Sequence, residues 1–272
     1  MFYFIKIKVF LVITFLFIST PLLSCTLVLA VSDDFPPYHM RHADNTWSGI
    51  SIDIAKLLVT KAGCELAVLD VPWIRAIKLL KEGKVHILTN FTKNQQRSQF
   101  SYFLGPHHIE QVSFIAPKTM NLNVSNISQL QNFKGSIGIT RGNFFGPEFE
   151  KYVLQSVDVK NKVVEIKSNN DRYHMLLQGR INGMFDDKLS ANYLLAKHQT
   201  NNQQFVIRFS FNASPVYFGV SKKALSTALR KKLNNAWLDI LEMNLIADVY
   251  QKYGLEFDKH QLDSYKVKLL DL

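Results

Sequence analysis

Two stretches of this chain resemble each other, LLKEGKVHIL at residues 79–88 and LLQGRINGMF at residues 176–185. Each stretch contains the end of an apolar helix, a glycine, a basic residue and a short apolar strand. In each, the strand then leads into polar residues. Two similar units in one chain predict two lobes of similar build.

Strands and helices alternate along the chain, which is typical of an α/β fold with a largely parallel sheet. The strand TLVLAV precedes a predicted helix over residues 51–61, which Gly63 ends. The strand ELAVLDV precedes a second predicted helix, which begins at Pro72 and ends at Gly83. In such sheets, ligands bind beyond the carboxyl ends of the strands.

The composition predicts a globular chain with hydrophobic cores, because 47% of the 272 residues are hydrophobic and 20% are charged. The formal charge of +10 falls to +8 when the two lysines within residues 1–24 are removed. The basic residues are scattered over predicted helices rather than gathered in one stripe. This distribution favours a solvated surface over a nucleic-acid partner.

Residues 1–24 are interpreted as a signal peptide, because Lys6 and Lys8 precede an apolar run that Pro21 interrupts. The competing interpretation is an uncleaved membrane anchor, since no charged residue occurs between Val9 and Val31. The signal peptide is favoured because the second half of that run, TLVLAV, has the pattern of a strand. Export to the periplasm is therefore expected.

The two cysteines, Cys25 and Cys64, each stand just before a predicted strand. If the two strands are parallel neighbours, a disulfide between the cysteines is feasible, and an oxidising compartment favours it. The alternative is a lipoprotein cleavage site with a lipid on Cys25, although Leu23 fits that pattern poorly. We favour the disulfide.

A single arginine, Arg97, lies in the polar segment TNFTKNQQRSQFSYFLGP, which follows the first of the two similar strands. A guanidinium group can bind a carboxylate with two parallel hydrogen bonds. The second similar strand ends at Asp186 and Asp187. A zwitterion held by Arg97 and Asp187 would suit this pair of opposite charges.

Six motifs resemble those of the bacterial extracellular solute-binding proteins of family 3, best known from polar amino acid ABC importers. In order they are LVLAVSDDFPPY, WSGISIDIAKLLVTKAG, the Arg97 segment, FKGSIGITRGN, LLQGRINGMFDD and LNNAWLDILEMNLIADVYQKYG. The resemblance spans roughly residues 26–258 and implies a type II periplasmic-binding fold, with the ligand cleft between its lobes. It implies lobe 1 at residues 26–111 plus 224–272 and lobe 2 at residues 112–223.

The function that this resemblance implies is capture of a small polar solute by hinge closure and its delivery to an ABC transporter permease in the inner membrane. The solute is expected to be an amino acid or a related carboxylate. We expect a monomer without catalytic residues, cofactors or metal ions. The sequence leaves open the ligand, the permease and the choice between transport and sensing.

The resemblance also implies a set of ligand-binding residues, with Arg97 on the ligand carboxylate and Asp187 on its ammonium group. Backbone amides of the turn after a strand in lobe 2 would meet the carboxylate. The implied set from lobe 1 is Ser32, Phe35, Tyr38, Trp73, Asn90, Thr92 and Arg97, and from lobe 2 it is Thr140, Arg141, Asn143, Phe144 and Asp187.

The chain departs from the family pattern at several positions. Asn94 replaces the usual threonine, and Phe144 stands where a hydroxyl residue commonly helps to hold the carboxylate, so a standard amino acid ligand is in doubt. Each assignment also has an alternative. Arg97 could be a surface residue paired with a carboxylate, Asp187 could cap the following helix, and Tyr38 and Trp73 could be core aromatics.

No catalytic motif of a serine hydrolase, zinc protease or P-loop enzyme occurs in the chain. The same fold also occurs in cyclohexadienyl dehydratase-like enzymes and in ligand-sensing proteins, which remain the alternative functions. A dehydratase would need a general acid, for which the sequence offers Asp186, Asp187 and the histidines. Adjacent His107 and His108 are expected to face opposite sides of a strand and to make a poor metal pair.

Overall fold

The computed structural model describes residues 25–120, 123–198, 205–263, 265 and 267–271. The predicted signal peptide at residues 1–24 lies outside this part of the chain. Among the described helices, none combines the length and the apolar character that crossing a membrane requires.

The architecture is mixed α/β, as the alternating pattern predicts. The strands are β1 (Cys25–Val31), β2 (Met40–Arg41), β3 (Trp47–Ser48), β4 (Cys64–Asp70), β5 (Ile87–Thr92), β6 (Ser101–Pro117), β7 (Ile137–Thr140), β8 (Val163–Ile166), β9 (Gly183–Asp187) and β10 (Phe205–Ser221). The α-helices are α1 (Ile50–Lys61), α2 (Trp73–Glu82), α3 (Gln95–Ser98), α4 (Pro147–Phe149), α5 (Val157–Lys160), α6 (Asn169–Leu177), α7 (Lys188–His198), α8 (Thr227–Glu242), α9 (Leu245–Lys252) and α10 (His260–Asp263). A 3₁₀ helix spans Ile127–Asn132, and a π-helical turn spans Glu150–Leu154.

Eight strands form one sheet in the order β4-β1-β5-β10-β6-β9-β7-β8. At one end, β1 pairs in parallel with β4 and β5, and at the other end β7 pairs in parallel with β8 and β9. The two long strands β6 and β10 run antiparallel between these ends and join them. We call the β4-β1-β5 end, with its helices, the first lobe and the β9-β7-β8 end the second lobe.

The helix boundaries follow the glycine and proline signals in the sequence. Helix α2 begins directly after Pro72 and ends at Gly83, which has the left-handed conformation (φ 79°) that glycine adopts readily. Helix α1 ends at Lys61, two residues before Gly63. The predictions of both helices are therefore confirmed to within one residue at each end.

Each lobe buries both faces of its sheet. In β1, Leu29 and Val31 belong to the core beneath α1 and α8, whereas Ala30 packs on the opposite face with α2. In the second lobe, Phe114 of β6 joins an aromatic core and its neighbour Ile115 packs on the other face. Alternating residues of a strand point to opposite faces, so strands buried on both sides need nearly continuous apolar sequence.

Cys25 and Cys64 lie opposite each other in the β1–β4 pair and form a disulfide, with their Cα atoms 4.6 Å apart. The two predicted strands are thus parallel neighbours in register from their first residues. The bond closes a loop with a sequence separation of 39 residues. A lipid thioether would require the same sulfur atom of Cys25.

Candidate ligand-binding site

A cavity lies between the two lobes at the carboxyl ends of β5 and β7. Nine of the twelve residues that the sequence suggested line it: Ser32, Phe35, Trp73, Asn90, Thr92 and Arg97 from the first lobe, and Thr140, Asn143 and Phe144 from the second. His39, Glu110, Phe145 and Asn169 complete the lining. The position matches the general rule for ligand sites in open α/β sheets.

The two lobes touch directly across this cavity. The indole Nε1 of Trp73 donates a hydrogen bond to the carbonyl oxygen of Gly142 (3.3 Å), and Arg97 Nη2 donates to the same oxygen (3.2 Å). At the rim, the backbone N–H of Asn170 donates to Asp33 Oδ2 (3.2 Å). Gly142 has a positive φ of 84°, and a Cβ atom there would lie 3.1 Å from Ile74.

Arg97 lies in the short helix α3, which follows β5, and several protein groups hold its side chain in place. Its backbone N–H donates to the side chain of Asn94, which caps the short helix α3, so the unusual asparagine has a structural role. Its Nη1 donates to the carbonyl oxygen of Thr92 (2.8 Å), and its guanidinium carbon lies 4.4 Å from the ring centre of Phe91. These contacts leave part of the guanidinium group available to the cavity.

The charge of Arg97 has no direct partner in the described part of the chain. Its side chain is only 5% exposed, yet no carboxylate oxygen of the described residues lies within 4.0 Å of it. Burial lowers the pKa of Arg97 to about 10, while the nearby Glu110 carboxyl raises it. Arg97 therefore remains protonated at neutral pH, and a buried cation of this kind favours an anionic ligand.

Glu110 is a cavity residue that the sequence reasoning missed. It lies on β6, and its Oε2 accepts a hydrogen bond from the hydroxyl of Thr92 (3.1 Å). Burial raises the pKa of Glu110 to about 8, and the Asp187 charge adds to that effect, whereas Thr92 and Arg97 oppose it. The available signal in the sequence was a single carboxylate in the otherwise uncharged segment HHIEQVSFIA.

The second lobe contributes polar groups from the turn after β7. The Thr140 hydroxyl donates to Asn169 Oδ1 (2.7 Å), and the Asn143 backbone N–H donates to the Thr140 carbonyl (3.1 Å). Asn143 and Phe144 line the cavity beside them. Arg141 points away from it, because its guanidinium group is exposed and forms an ion pair with Glu165 (3.1 Å).

Asp187 and Tyr38 lie outside this cavity and bind each other. The Tyr38 hydroxyl donates to Asp187 Oδ1 (3.0 Å), and the backbone N–H groups of Leu189 and Ser190 donate to the same oxygen (2.9 and 3.0 Å). Asp187 thus caps the start of α7, which is the alternative that the sequence left open. Both side chains border a separate cavity on the other side of the long strands, together with Tyr250 and Tyr265.

Asp186, the neighbour of Asp187, is also satisfied within the protein. Its Oδ1 forms an ion pair with Arg172 Nη2 (2.9 Å), and both side chains are almost completely buried. Burial raises the pKa of Asp186, and Arg172 opposes this shift. Both carboxylates at the end of β9 therefore bind protein groups through their Oδ1 atoms.

His107 and His108 do not face opposite ways, so that expectation is wrong. Their Nδ1 atoms lie 2.8 Å apart, and both rings are buried. The pairing of β6 with β10 is irregular here. Val216 pairs with His108 and Phe218 pairs with Leu104, so a step of two residues on β10 corresponds to a step of four on β6. Burial lowers the pKa of His107 to about 3. In the described part of the chain, no three metal-binding side chains are grouped to hold an ion.

Ser32 supplies a further free group in the cavity. Its hydroxyl is buried and has no hydrogen-bond partner within the described part of the chain. An unpaired buried hydroxyl costs free energy unless a ligand or water satisfies it. Ser32, Arg97 and Glu110 thus leave donors and an acceptor unpaired in one enclosed space.

The family model for bacterial extracellular solute-binding proteins, family 3, matches residues 27–256. The chain belongs to this family. The family 3 protein described here is 27% identical over 212 residues to the ABC transporter arginine-binding protein 1 of Escherichia coli (strain K12), a match that covers 76% of this chain and 81% of that protein.

Solved structures share the fold of this family 3 protein. An ancestral arginine-binding protein bound to arginine superimposes with a TM-score of 0.71 at 19% identity, covering 84% of this chain and 97% of that one. The ancestral amino acid-binding protein AncCDT-1, a precursor of cyclohexadienyl dehydratase, gives a TM-score of 0.69 at 18% identity, with coverage of 84% and 94%. These neighbours have the two-lobed type II periplasmic-binding fold.

Proposed function

We propose that this solute-binding protein captures a small amino acid or related carboxylate between its lobes and delivers it to the permease of an ABC importer. The observation that carries the proposal is the buried Arg97 guanidinium in the cavity between the lobes, which has no carboxylate partner among the described residues. The arginine-binding relative in Escherichia coli supports an amino acid as the ligand class.

The proposed mechanism is closure of one lobe on the other. We assign residues 26–111 plus 224–272 to lobe 1 and residues 112–223 to lobe 2, with β6 and β10 as the crossings. Each lobe supplies part of the cavity lining, so the closed form makes contacts that the open form lacks, and the ligand shifts the equilibrium towards closure. The direct Trp73–Gly142 bond contributes to that closed form.

The proposed ligand contacts are the residues that line the cavity. Arg97 binds the carboxylate, Ser32 and Asn90 supply polar contacts, and Phe35, Trp73 and Phe144 form apolar walls. Thr140 and Asn143 close the site from the second lobe. Tyr38, Arg141 and Asp187 are left out of this proposal, because they do not line the cavity.

We further propose that the mature protein is a periplasmic monomer without a cofactor. The disulfide between Cys25 and Cys64 fits an oxidising compartment. It also favours a free chain over a lipid anchor at Cys25, since the sulfur is used in the disulfide. Mass spectrometry of the secreted protein, with and without reduction, would distinguish a disulfide from a lipid adduct.

The experiment that tests the function is a thermal-shift screen of the exported protein against the L-amino acids, amines and small organic acids. A ligand that binds only the folded state raises the melting temperature in a saturable way. Isothermal titration calorimetry then gives the affinity. Failure of every carboxylate in the panel to stabilise the protein would contradict the proposal.

Arg97→Ala is the matching variant, and Arg97→Lys, which keeps the charge but not the forked geometry, is its control. Two charge-assisted hydrogen bonds stabilise a bound carboxylate by about 3 kcal/mol or more, so Arg97→Ala should weaken binding by over about a hundredfold. Arg97→Lys should retain part of the affinity. Unchanged affinity in Arg97→Ala would refute the carboxylate assignment.

A dehydratase-like enzyme is the second candidate, because Glu110 offers an acidic group in the cleft that the sequence reasoning did not find. A carboxyl with a pKa of about 8 is protonated at neutral pH and could serve as a general acid. Conversion of prephenate or arogenate by the purified protein would establish this activity. Binding of an unchanged solute without turnover favours the transport function.

A further inference from the structure

A guanidinium group and a carboxyl group border the same cavity without forming an ion pair with each other. Arg97 and Glu110 both line it, yet no nitrogen–oxygen distance between them is within 4.0 Å, and neither has another ion-pair partner among the described residues. A buried charge without a partner is unfavourable. A group that carries both charges and fits between Arg97 and Glu110 would satisfy both residues.

Thr92 hydrogen-bonds to both of these groups. Its carbonyl oxygen accepts a hydrogen bond from Arg97 Nη1, and its hydroxyl donates to Glu110 Oε2. The guanidinium and the carboxyl group are therefore both held next to one residue. An α-amino acid also carries its carboxylate and ammonium groups close together, on one carbon atom.

The other carboxylate considered for the ammonium group does not line the ligand cavity. Asp187 Oδ1 accepts three hydrogen bonds from the protein, and the side chain borders the cavity on the other side of the long strands. Asp186 is paired with Arg172. Among the described residues that line the ligand cavity, Glu110 is the one carboxylate.

We propose that Glu110 binds the α-ammonium group of the ligand while Arg97 binds its carboxylate. This inference rests on the proposed function as an amino acid-binding protein. Glu110 then determines specificity, because it favours ligands with a free α-ammonium group over organic acids that lack it. Arg97 in the first lobe and Glu110 on the crossing strand β6 would thus bind the two charged groups of a zwitterion.

The protonation of Glu110 supplies an independent measurement. Burial and the charges of Asp187 and Asp186 raise its pKa to about 8, and Arg97 and the Thr92 hydroxyl oppose them. The Tyr38 hydroxyl also lies close enough to interact. At pH 7 the empty site therefore holds a proton on Glu110. An ammonium group favours the ionised carboxylate, so binding should release that proton to the solvent.

The experiment compares the wild-type protein with Glu110→Gln, which keeps the size and the acceptor for Thr92 but removes the charge. The probes are L-amino acids with uncharged side chains, L-glutamine first, because their α-ammonium group is their single cation. Loss of a charge-assisted hydrogen bond should weaken binding by about 10- to 100-fold. Glu256→Gln, at an exposed glutamate outside the cavity, is the matched control.

Calorimetry at pH 7 in two buffers of different ionisation enthalpy counts the protons released. The wild-type protein should release up to about one proton per ligand, and Glu110→Gln should release none. L-arginine and its analogue without the α-amino group form the second comparison. The wild type should prefer L-arginine strongly, and Glu110→Gln should reduce that preference.

The outcomes separate this inference from the proposed function. Binding of amino acids to the wild type with equal affinity and equal proton release in Glu110→Gln would overturn the role of Glu110 and leave the transport function intact. An effect on L-arginine but on none of the neutral amino acids would assign Glu110 to a ligand side chain and overturn the ammonium contact. If the wild type binds an organic acid but no amino acid, the role of Glu110 fails and the transport function stands. If it binds no carboxylate at all, both proposals fail.

Discussion

The ends of β5 and β9 occupy equivalent places in the two similar sequence units, but they differ in how their polar groups are satisfied. At the end of β5, Arg97 keeps an unpaired charge that faces the cavity between the lobes. At the end of β9, Asp186 pairs with Arg172 and Asp187 caps a helix. A ligand site is therefore recognised by the groups that the protein leaves unsatisfied, and not by the presence of charge alone.

This comparison predicts that changes at the end of β9 affect stability more than ligand binding. The largest effect is expected for Asp186→Ala, which leaves the buried Arg172 guanidinium without its partner. Removing one member of a buried ion pair costs about 3 to 5 kcal/mol. Urea unfolding of the ligand-free protein measures this loss. A loss below about 1 kcal/mol would contradict the structural role.

In the cavity beyond β5, the ionisation of Glu110 should make the free energy of unfolding depend on pH. The pKa of Glu110 is raised from 4.5 to about 8, so the folded ligand-free protein binds more protons than the unfolded chain between these values. Its stability contribution is therefore lost as the pH rises towards 8. Glu110→Gln should be more stable than the wild type by about 4 to 5 kcal/mol at pH 8.5 and similar at pH 4.

Urea unfolding of both proteins at several pH values tests this prediction. Parallel stability curves for the wild type and Glu110→Gln would show that the folded protein does not raise the pKa of Glu110. A ligand that binds through its ammonium group should remove the difference, because it favours the ionised carboxylate. This addition of ligand distinguishes a functional carboxylate from a merely buried one.

Asp187→Ala should have a smaller effect, and on stability rather than on binding. The change removes the acceptor of two backbone N–H groups at the start of α7 and of the Tyr38 hydroxyl. Loss of a helix cap costs about 0.5 to 2 kcal/mol. Asp187→Asn, which can still cap the helix, is the control. A loss of ligand affinity in both variants would return Asp187 to the binding site.

Tyr38→Phe should have the smallest effect, because it removes one buried hydrogen bond and keeps the ring that stacks on His108. We expect a loss of about 1 kcal/mol in the free energy of unfolding. The affinity for the ligand should change far less than in Arg97→Ala. If Tyr38→Phe weakens ligand binding and leaves the free energy of unfolding unchanged, then the groups at the end of β9 take part in binding and the comparison is wrong.

Local signals in the sequence were sufficient to predict individual helices and strands, whereas the two-lobed architecture rested on the resemblance to the family. Gly83 and Pro72 marked the ends of α2, and the apolar runs that follow Cys25 and Cys64 identified two strands. The likeness of the two units placed Arg97 in the segment that follows the first strand and Asp187 at the end of the second. These predictions succeeded because each depends on a few adjacent residues.

The remaining features depend on contacts between distant residues, which spacing in the sequence does not show. Asp187 is satisfied by Tyr38, which lies 149 positions earlier. Glu110 enters the cavity from β6, where no motif marks it. His107 and His108 contact each other because the pairing of β6 with β10 is irregular at that point. Sequence reasoning therefore identified the polar residues but not their partners.

The two long strands β6 and β10 have a consequence for movement of the protein. They carry the sheet from one lobe into the other without a break, so the lobes can change their relative orientation only by flexing this ribbon. Its pairing is irregular at three places, between Ile207 and Phe209, between Phe211 and Ala213, and between Val216 and Phe218. Bending at these places breaks the fewest regular hydrogen bonds between β6 and β10. We therefore expect the lobes to change their relative orientation by bending of the two strands at these three irregular positions.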